Sequence, residues 1–176
     1  MLKADPKILD CTCGSRSIWF DKDNKYTLYT DIREEEHHGV FGKEQRKRDM
    51  YVRPDMIVDF TEMPFEDESF SMVVYDPPHV RNLSESSWTR KMYGTLDENW
   101  KEILRGGFKE CMRVLKEDGV LIFKWSEIDI PAAELWEVIG ETPLFGHHSG
   151  RKMNTYWGVF MKGNPANINY RQMEIL

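Results

Sequence analysis

Short apolar runs recur along the chain, and each stops on a polar or turn-forming residue. Ile8-Leu9-Asp10-Cys11-Thr12, Thr27-Leu28-Tyr29-Thr30-Asp31, Pro54-Asp55-Met56-Ile57-Val58-Asp59-Phe60 and Met72-Val73-Val74-Tyr75 read as buried strands. Each run is short and carries β-branched or aromatic side chains. The period then changes. Trp100, Ile103, Leu104, Phe108, Cys111, Met112 and Leu115 make one stripe of a helix running from Asp97 or Glu98 to Leu115. Gly106-Gly107 interrupts that stripe and either kinks the helix or lets another element pack closely. Lys116-Glu117-Asp118-Gly119 turns the chain into a fifth strand, Val120–Trp125. A second helix covers Pro131–Ile139, with Pro131 suited to its first turn. Leu144–His148 and Tyr156–Met161 form a closing strand pair around Ser149-Gly150-Arg151-Lys152. Strands that alternate with helices or loops and end in a hairpin predict an α/β fold, a mostly parallel sheet with one antiparallel strand.

The connections carry the polar signals. Gly14 allows a tight turn after the first strand, and Ser15 is placed to cap a short helix over Ser15–Phe20. With one glycine, this is not the dinucleotide fingerprint, which excludes a nicotinamide oxidoreductase. Residues 32 to 55 lack apolar periodicity and read as a surface excursion. The excursion holds Lys43, Arg46, Lys47 and Arg48, a candidate phosphate-contacting patch within residues 43–53. After the fourth strand, Trp88, Arg90, Lys91, Tyr93, Gly94 and Trp100 mix rings with cations, as a lid or substrate clamp does. Trp88 and Tyr93 have a plainer reading as packing for the following helix.

Composition narrows the class. The chain has 176 residues, 40% of them hydrophobic and 12% aromatic, enough for one packed domain over 1–162 with a polar tail at 163–176. The formal charge of -6 repels nucleic acid globally, so a DNA or RNA partner needs the local basic loop. Three cysteines and no apolar leader point to a reducing cytoplasm without disulfides. No apolar run approaches membrane-spanning length, so the chain is read as soluble with no membrane partner. His37-His38 beside Glu34-Glu35-Glu36 is read as a charged loop and no metal site is expected.

The acids carry the candidate chemistry. Asp10, Asp31, Asp59 and Asp76 stand at or near the ends of the first four strands. Each alone is an ordinary turn residue. Together they line the edge of the sheet where open α/β folds bind ligands. Asp31, about twenty residues past the glycine turn, suits a grip on ribose hydroxyls. Asp59-Phe60 can bracket an adenine. Asp76 is held on a stiff turn by Pro77 and Pro78, followed by the ring of His79.

This ordered set resembles the class I S-adenosylmethionine-dependent methyltransferases. Ile8–Ser15 is similar to their first motif, Asp31 to their ribose acid, Asp59-Phe60 to their adenine motif, and Arg113–Leu121 to their helix-to-strand hairpin. Asp76-Pro77-Pro78-His79 resembles the (Asp/Asn)-Pro-Pro-aromatic motif of amino methyltransferases, including adenine-N6 DNA enzymes. Cys-Gly-Ser-Arg at 13–16 with Trp-Phe-Asp-Lys at 19–22 and the Asp-Pro-Pro-His turn resembles small phage and prophage methyltransferases. The broad resemblance covers about Ile8 to Lys162. It implies a Rossmann-like fold with a seven-stranded sheet flanked by helices. It implies S-adenosylmethionine held by Asp10, Cys11, Cys13, Gly14, Ser15, Asp31, Ile32, Asp59 and Phe60. Asp76, Pro77, Pro78 and His79 would carry catalysis, with Trp88 and Tyr93 receiving a flipped base and the basic loop holding phosphates. Arg16 stands where many relatives have a second glycine, and His79 where they have Tyr, Phe or Trp. A protein side chain or small-molecule amine is the alternative acceptor, and a non-catalytic binding protein the alternative to an enzyme.

Overall fold

The structure is a computed structural model that describes residues 5–41, 48–150, 152 and 154–163. The strands are β1 (Ile8–Asp10), β2 (Thr27–Asp31), β3 (Glu35–Phe41), β4 (Arg48–Val52), β5 (Met56–Ile57), β6 (Phe70–Tyr75), β7 (Leu115–Ser126), β8 (Phe145–Ser149) and β9 (Thr155–Met161). The helices are α1 (Trp88–Tyr93), α2 (Trp100–Val114) and α3 (Ala132–Ile139). Seven strands form one sheet in the order β5-β2-β1-β6-β7-β9-β8, and β3 and β4 form a separate two-stranded sheet. Pairing is parallel from β5 to β7, and β9 runs antiparallel to both of its neighbours. The expected mostly parallel seven-stranded sheet with one reversed strand is therefore what the chain forms. Among the described residues no helix is long and apolar enough to cross a membrane.

The strand order places the site. The chain runs outward from β1 to β2 and β5, then returns to β6 on the opposite side of β1. The winding reverses between β1 and β6, so the loops leaving their carboxyl ends diverge and open a crevice.

Alternation builds the core. In β7, Leu121, Phe123 and Trp125 are fully buried, whereas Val120, Ile122 and Lys124 between them are half-buried. The buried set faces α2 and α3. Phe123 packs on Tyr75 at 4.8 Å and on Trp136 of α3 at 5.4 Å between ring centroids. Leu104, Phe108, Cys111 and Val114 recur at helical spacing on α2 and are buried against the same layer.

Three local expectations differ from the structure. Residues 15–20 form turns and no helix. Arg16 is in the left-handed region at φ +54, which a helix start does not accommodate. Its guanidinium fixes the loop: Nη1 donates to the Lys22 carbonyl (2.7 Å), Nη2 to the Arg53 carbonyl (2.8 Å), and the group lies 3.9 Å over the Tyr29 ring. The excursion at 32–55 is a β-hairpin. Glu35 pairs with Val52 and His37 with Met50, and the Met50 and Val52 side chains are buried. The third predicted strand shrinks to the two-residue edge strand β5.

Candidate functional site

A cleft of about 630 Å³ opens at the carboxyl ends of β1, β2 and β6. The turn after β1 forms one wall. Gly14 has φ +48, and its N–H donates to Asp31 Oδ2 at 2.9 Å, so the acid at the end of β2 holds the turn. Asp31 Oδ1 accepts from the Arg33 N–H at 3.0 Å and from Arg33 Nε at 3.2 Å. Arg33 Nη1 donates to the Lys91 carbonyl at 3.0 Å, tying the end of β2 to α1. Cys11, Cys13, Ser15 and Ile32 line the same wall.

Asp10 lies beneath this wall. It is 1% exposed and does not line the cleft. Trp19 Nε1 donates to its Oδ2 at 2.6 Å and the Thr12 N–H to its Oδ1 at 3.3 Å. Burial outweighs both donors and pushes its pKa up to about 7. Asp10 therefore holds the post-β1 turn from below, outside the lining of the cleft. The sign of its effect on stability follows. Between the ordinary carboxylate value and about 7, the folded chain keeps a proton that the unfolded chain releases. Stability from this group is complete below the ordinary value and falls by about 1.4 kcal/mol per pH unit as pH rises toward 7. Asp10→Asn keeps an acceptor for Trp19 and removes that slope. Urea melts from pH 4 to 8 should show the variant gaining on wild type as pH rises; parallel curves would contradict the burial of an ionisable Asp10.

The second wall comes from β6. The Asp76 N–H donates to Thr12 Oγ1 at 2.8 Å, which locks the two turns together. Lys124 Nζ donates to Asp76 Oδ2 at 2.6 Å. Tyr75 pairs with Phe123, so the next residues, Asp76 and Lys124, emerge side by side. Among the described residues Asp76 Oδ1 has no recorded partner, and Asp76 faces the cleft. Pro78 packs on Gly94, where an added Cβ would lie 2.9 Å from Pro78 Cγ. Pro77 is buried behind the rim.

His79 sits elsewhere than its motif position predicts. Its ring is 8% exposed, lies 5.9 Å from Tyr93 and 6.1 Å from Trp125 between centroids, and does not line the cleft. Burial lowers its pKa, against the pull of the Asp76 carboxylate, so it is neutral near pH 7. Tyr93, at the end of α1 and 36% exposed, is an aromatic residue that does line the cleft.

Phe60, Thr61 and Ile103 close the far end. Phe60 stacks on Tyr75 at 5.4 Å, and Asp59 Oδ1 accepts from the Thr61 N–H (2.8 Å) and hydroxyl (2.7 Å). The cleft thus gathers Cys11, Cys13, Gly14, Ser15, Asp31, Ile32, Asp59, Phe60, Asp76, Pro78 and Tyr93 from the sequence-derived set. Asp10, Pro77, His79 and Trp88 lie outside its lining. Lys43, Arg46 and Lys47 fall outside the described residues, and Arg48 opens β4. Sequence reasoning passed over Arg33 and Lys124. The signal for Lys124 was available: it is the one charge within the apolar run Val120–Trp125.

No protein-family model and no curated protein matches the chain. Among solved structures, it is similar to the PH0226 protein from Pyrococcus horikoshii OT3, with a TM-score of 0.55 and 17% identity over 92% of this chain and 84% of that one. The [4+2]-cyclase SpnF aligns with a TM-score of 0.40 and 17% identity, over 79% of this chain and 52% of that one. At this identity the likeness is one of fold. With its strand order and single reversed strand, the chain has the Rossmann-like methyltransferase fold.

Proposed function

We propose that the protein is an S-adenosylmethionine-dependent methyltransferase acting on an exocyclic amino nitrogen of a nucleobase in DNA or RNA. The observation that carries this reading is Asp76: a carboxylate on a diproline turn, among the residues that line the cleft, with one oxygen held by Lys124. The residues present fit the methyl donor. The cleft lies within the usual 300–1,000 Å³ of ligand sites, and Asp31, Asp59 and Asp76 along it complement a cation. Asp31 and the Gly14 turn would hold the ribose side, and Phe60 with Ile103 the adenine. Arg33 covers Asp31 Oδ1, so full engagement of ribose hydroxyls by Asp31 requires the Arg33 side chain to shift.

When bound, S-adenosylmethionine supplies an electrophilic methyl group on a sulfonium, transferred by in-line displacement. An amino nitrogen on an aromatic ring is a poor nucleophile because its lone pair is conjugated. Asp76 Oδ1 would accept one of its N–H groups, which turns the lone pair out of conjugation. As the new N–C bond forms, the carboxylate stabilises the positive charge growing on nitrogen and receives the departing proton. The prolines and Lys124 hold this carboxylate in place, so little reorganisation accompanies the step.

Three observations support a nucleobase. Tyr93 offers a ring face for stacking. Arg33, Arg90 and Lys91 line the cleft on an otherwise acidic protein. The β3–β4 hairpin places Glu35 and His37 in the cleft wall and flanks residues 42–47, which hold Lys43, Arg46 and Lys47. A base within a duplex would be flipped out. The resemblance of the Asp-Pro-Pro-His turn to phage-type amino methyltransferases points the same way. The test is incubation with methyl-labelled S-adenosylmethionine against separate DNA, RNA and protein pools. Label should enter nucleic acid and decline steeply with salt. Label confined to protein or to small amines would move the acceptor class. Donor binding without transfer to any pool would leave a binding protein.

A further inference from the structure

The seven-stranded sheet is covered by helices on one side. Cross-strand register sets Val73, Leu121 and Phe160 on a common face, each no more than 2% exposed. Both longer helices pack there, with Phe108 of α2 on Phe160 at 5.0 Å and Trp136 of α3 on Phe123 at 5.4 Å. The alternate residues of the same strands face the other way. Val120, Ile122, Trp157, Val159 and Met161 are half-buried, and Phe145 on the edge strand is 67% exposed. The loop between β1 and β2 closes this second side over Asp10, through Trp19. Among the described residues α2 and α3 pack on the opposite face, which leaves the second side of β7, β9 and β8 without them, whereas Val74 on the same side of β6 is already 5% exposed. A largely parallel sheet is normally buried on both faces, because its apolar strands require it.

We propose that this face is the interface of a two-fold dimer, on which a second copy lays its own β7–β9–β8 face. Two properties select a second copy. The first is charge. The chain carries a net -6, so two copies repel over most of their surfaces. The register places one charged pair on this face, Asp76 with Lys124, already mutually neutralised at its upper edge. The face is therefore where two acidic molecules meet without repulsion. The second is size. Three strands about 4.8 Å apart and about seven residues of roughly 3.3 Å each cover on the order of 330 Å² in projection. That is below the roughly 800 Å² per partner of a stable interface, which fits a pair that forms in the micromolar range. Twisted sheets stack face to face at about 10 Å with their strands nearly aligned, and a patch that meets its own copy closes a symmetric pair. Lys124 Nζ lies 5.9 Å from the centre of the Trp157 ring, so the partner would border the cleft beside Asp76. The proposal does not rest on methyl transfer.

The test is sedimentation equilibrium of the full chain across the micromolar range. Wild type should sediment at twice 20.9 kDa. Ile122→Lys and Val159→Glu should sediment as monomers with unchanged far-UV circular dichroism. Ile122→Thr keeps a β-branched residue in the strand and covers the case where the charged variants fail to fold. It should raise the dimer Kd by about tenfold or more at an unchanged secondary-structure content. A wild-type monomer at the highest concentration overturns the proposal and leaves the face to another partner or to another segment of the same chain. A dimer that persists undiminished in all three variants also overturns it, placing the contact elsewhere, such as the β8 edge.

Discussion

Replacing Asp76 with alanine is expected to lower methyl transfer by about 10²- to 10³-fold or more, with affinity for S-adenosylmethionine held within a few-fold. In the proposed reading the donor is held by other groups that line the cleft, Gly14, Asp31, Phe60 and Ile103, and Asp76 meets the acceptor. The variant also strands Lys124, whose ammonium loses its only ion-pair partner recorded among the described residues. Breaking one side of a shielded pair costs more than removing both. Asp76→Ala should therefore melt lower than Asp76→Ala with Lys124→Met, while both remain inactive. Asp76→Asn keeps a carbonyl acceptor, loses the charge, and should fall between alanine and wild type. Lys124→Met alone frees the carboxylate to rotate; it should reduce kcat more than it changes KM, because the oxygen that meets the amino group is no longer fixed. Single-turnover transfer and isothermal titration with the donor separate these effects. Full activity in Asp76→Ala would end the assignment, and a loss of donor binding as large as the loss of activity would move Asp76 to the cofactor side.

What could be read from the sequence was whatever local pattern determines. β2 and α3 lie where the apolar runs put them, because burial in a parallel sheet or under a helix leaves a continuous local signature. The acids at the strand ends were legible for the same reason, and three of the four open into the cleft. Features set by distant partners were not. Arg16 abandons a helix start for the carbonyl of Arg53, 37 positions away. Lys124 meets Asp76 only because β6 and β7 pair in one particular register. The β3–β4 hairpin hides its alternation because its outward positions are charged; Glu36 pairs with Arg53 across it. The placement of His79 was not legible either: its motif position implies contact with substrate, whereas its ring is buried 6.1 Å from that of Trp125 and Tyr93 lines the cleft.

That inward packing changes where specificity is expected. A ring that stacks on substrate must be on the cleft surface, and Tyr93 satisfies this while sitting on α1. α1 is tied to the cofactor wall by Arg33, which bonds both Asp31 and the Lys91 carbonyl. Under the proposed function, occupation of the ribose side would disturb the same guanidinium that ties α1 to β2, and donor binding and acceptor stacking would be coupled through that side chain.

The two adjacent glycines of α2 should respond oppositely to the same substitution. Either one, changed to alanine, gains about 0.5–1 kcal/mol of helix stability from reduced backbone freedom. At Gly106 an added Cβ meets only Thr61, at 3.9 Å, an ordinary contact, so the gain should survive as a rise in Tm of about 2–3 °C. At Gly107 the Cβ would come within 2.5 Å of Phe60 Cδ2 and also press on the Tyr75 hydroxyl. Neither ring can swing away freely. Tyr75 is fully buried against Phe123, and Phe60 is wedged between Tyr75 and the cleft. Overpacking of this kind costs about 1–3 kcal/mol, which exceeds the propensity gain and reverses the sign. Gly107→Val adds two methyl groups and a poorer helix former, and should cost about 3 kcal/mol or more. The damage also reaches the cleft, since Phe60 lines it, in the proposed reading at the adenine end, and Tyr75 immediately precedes Asp76. Gly107→Ala should therefore weaken S-adenosylmethionine binding while Gly106→Ala leaves it unchanged. Thermal melts with and without the donor read both quantities. Equal stabilisation by the two alanines would mean that α2 does not approach β6 as closely as Gly107 permits, and that Phe60 is not held in the cleft by the helix behind it.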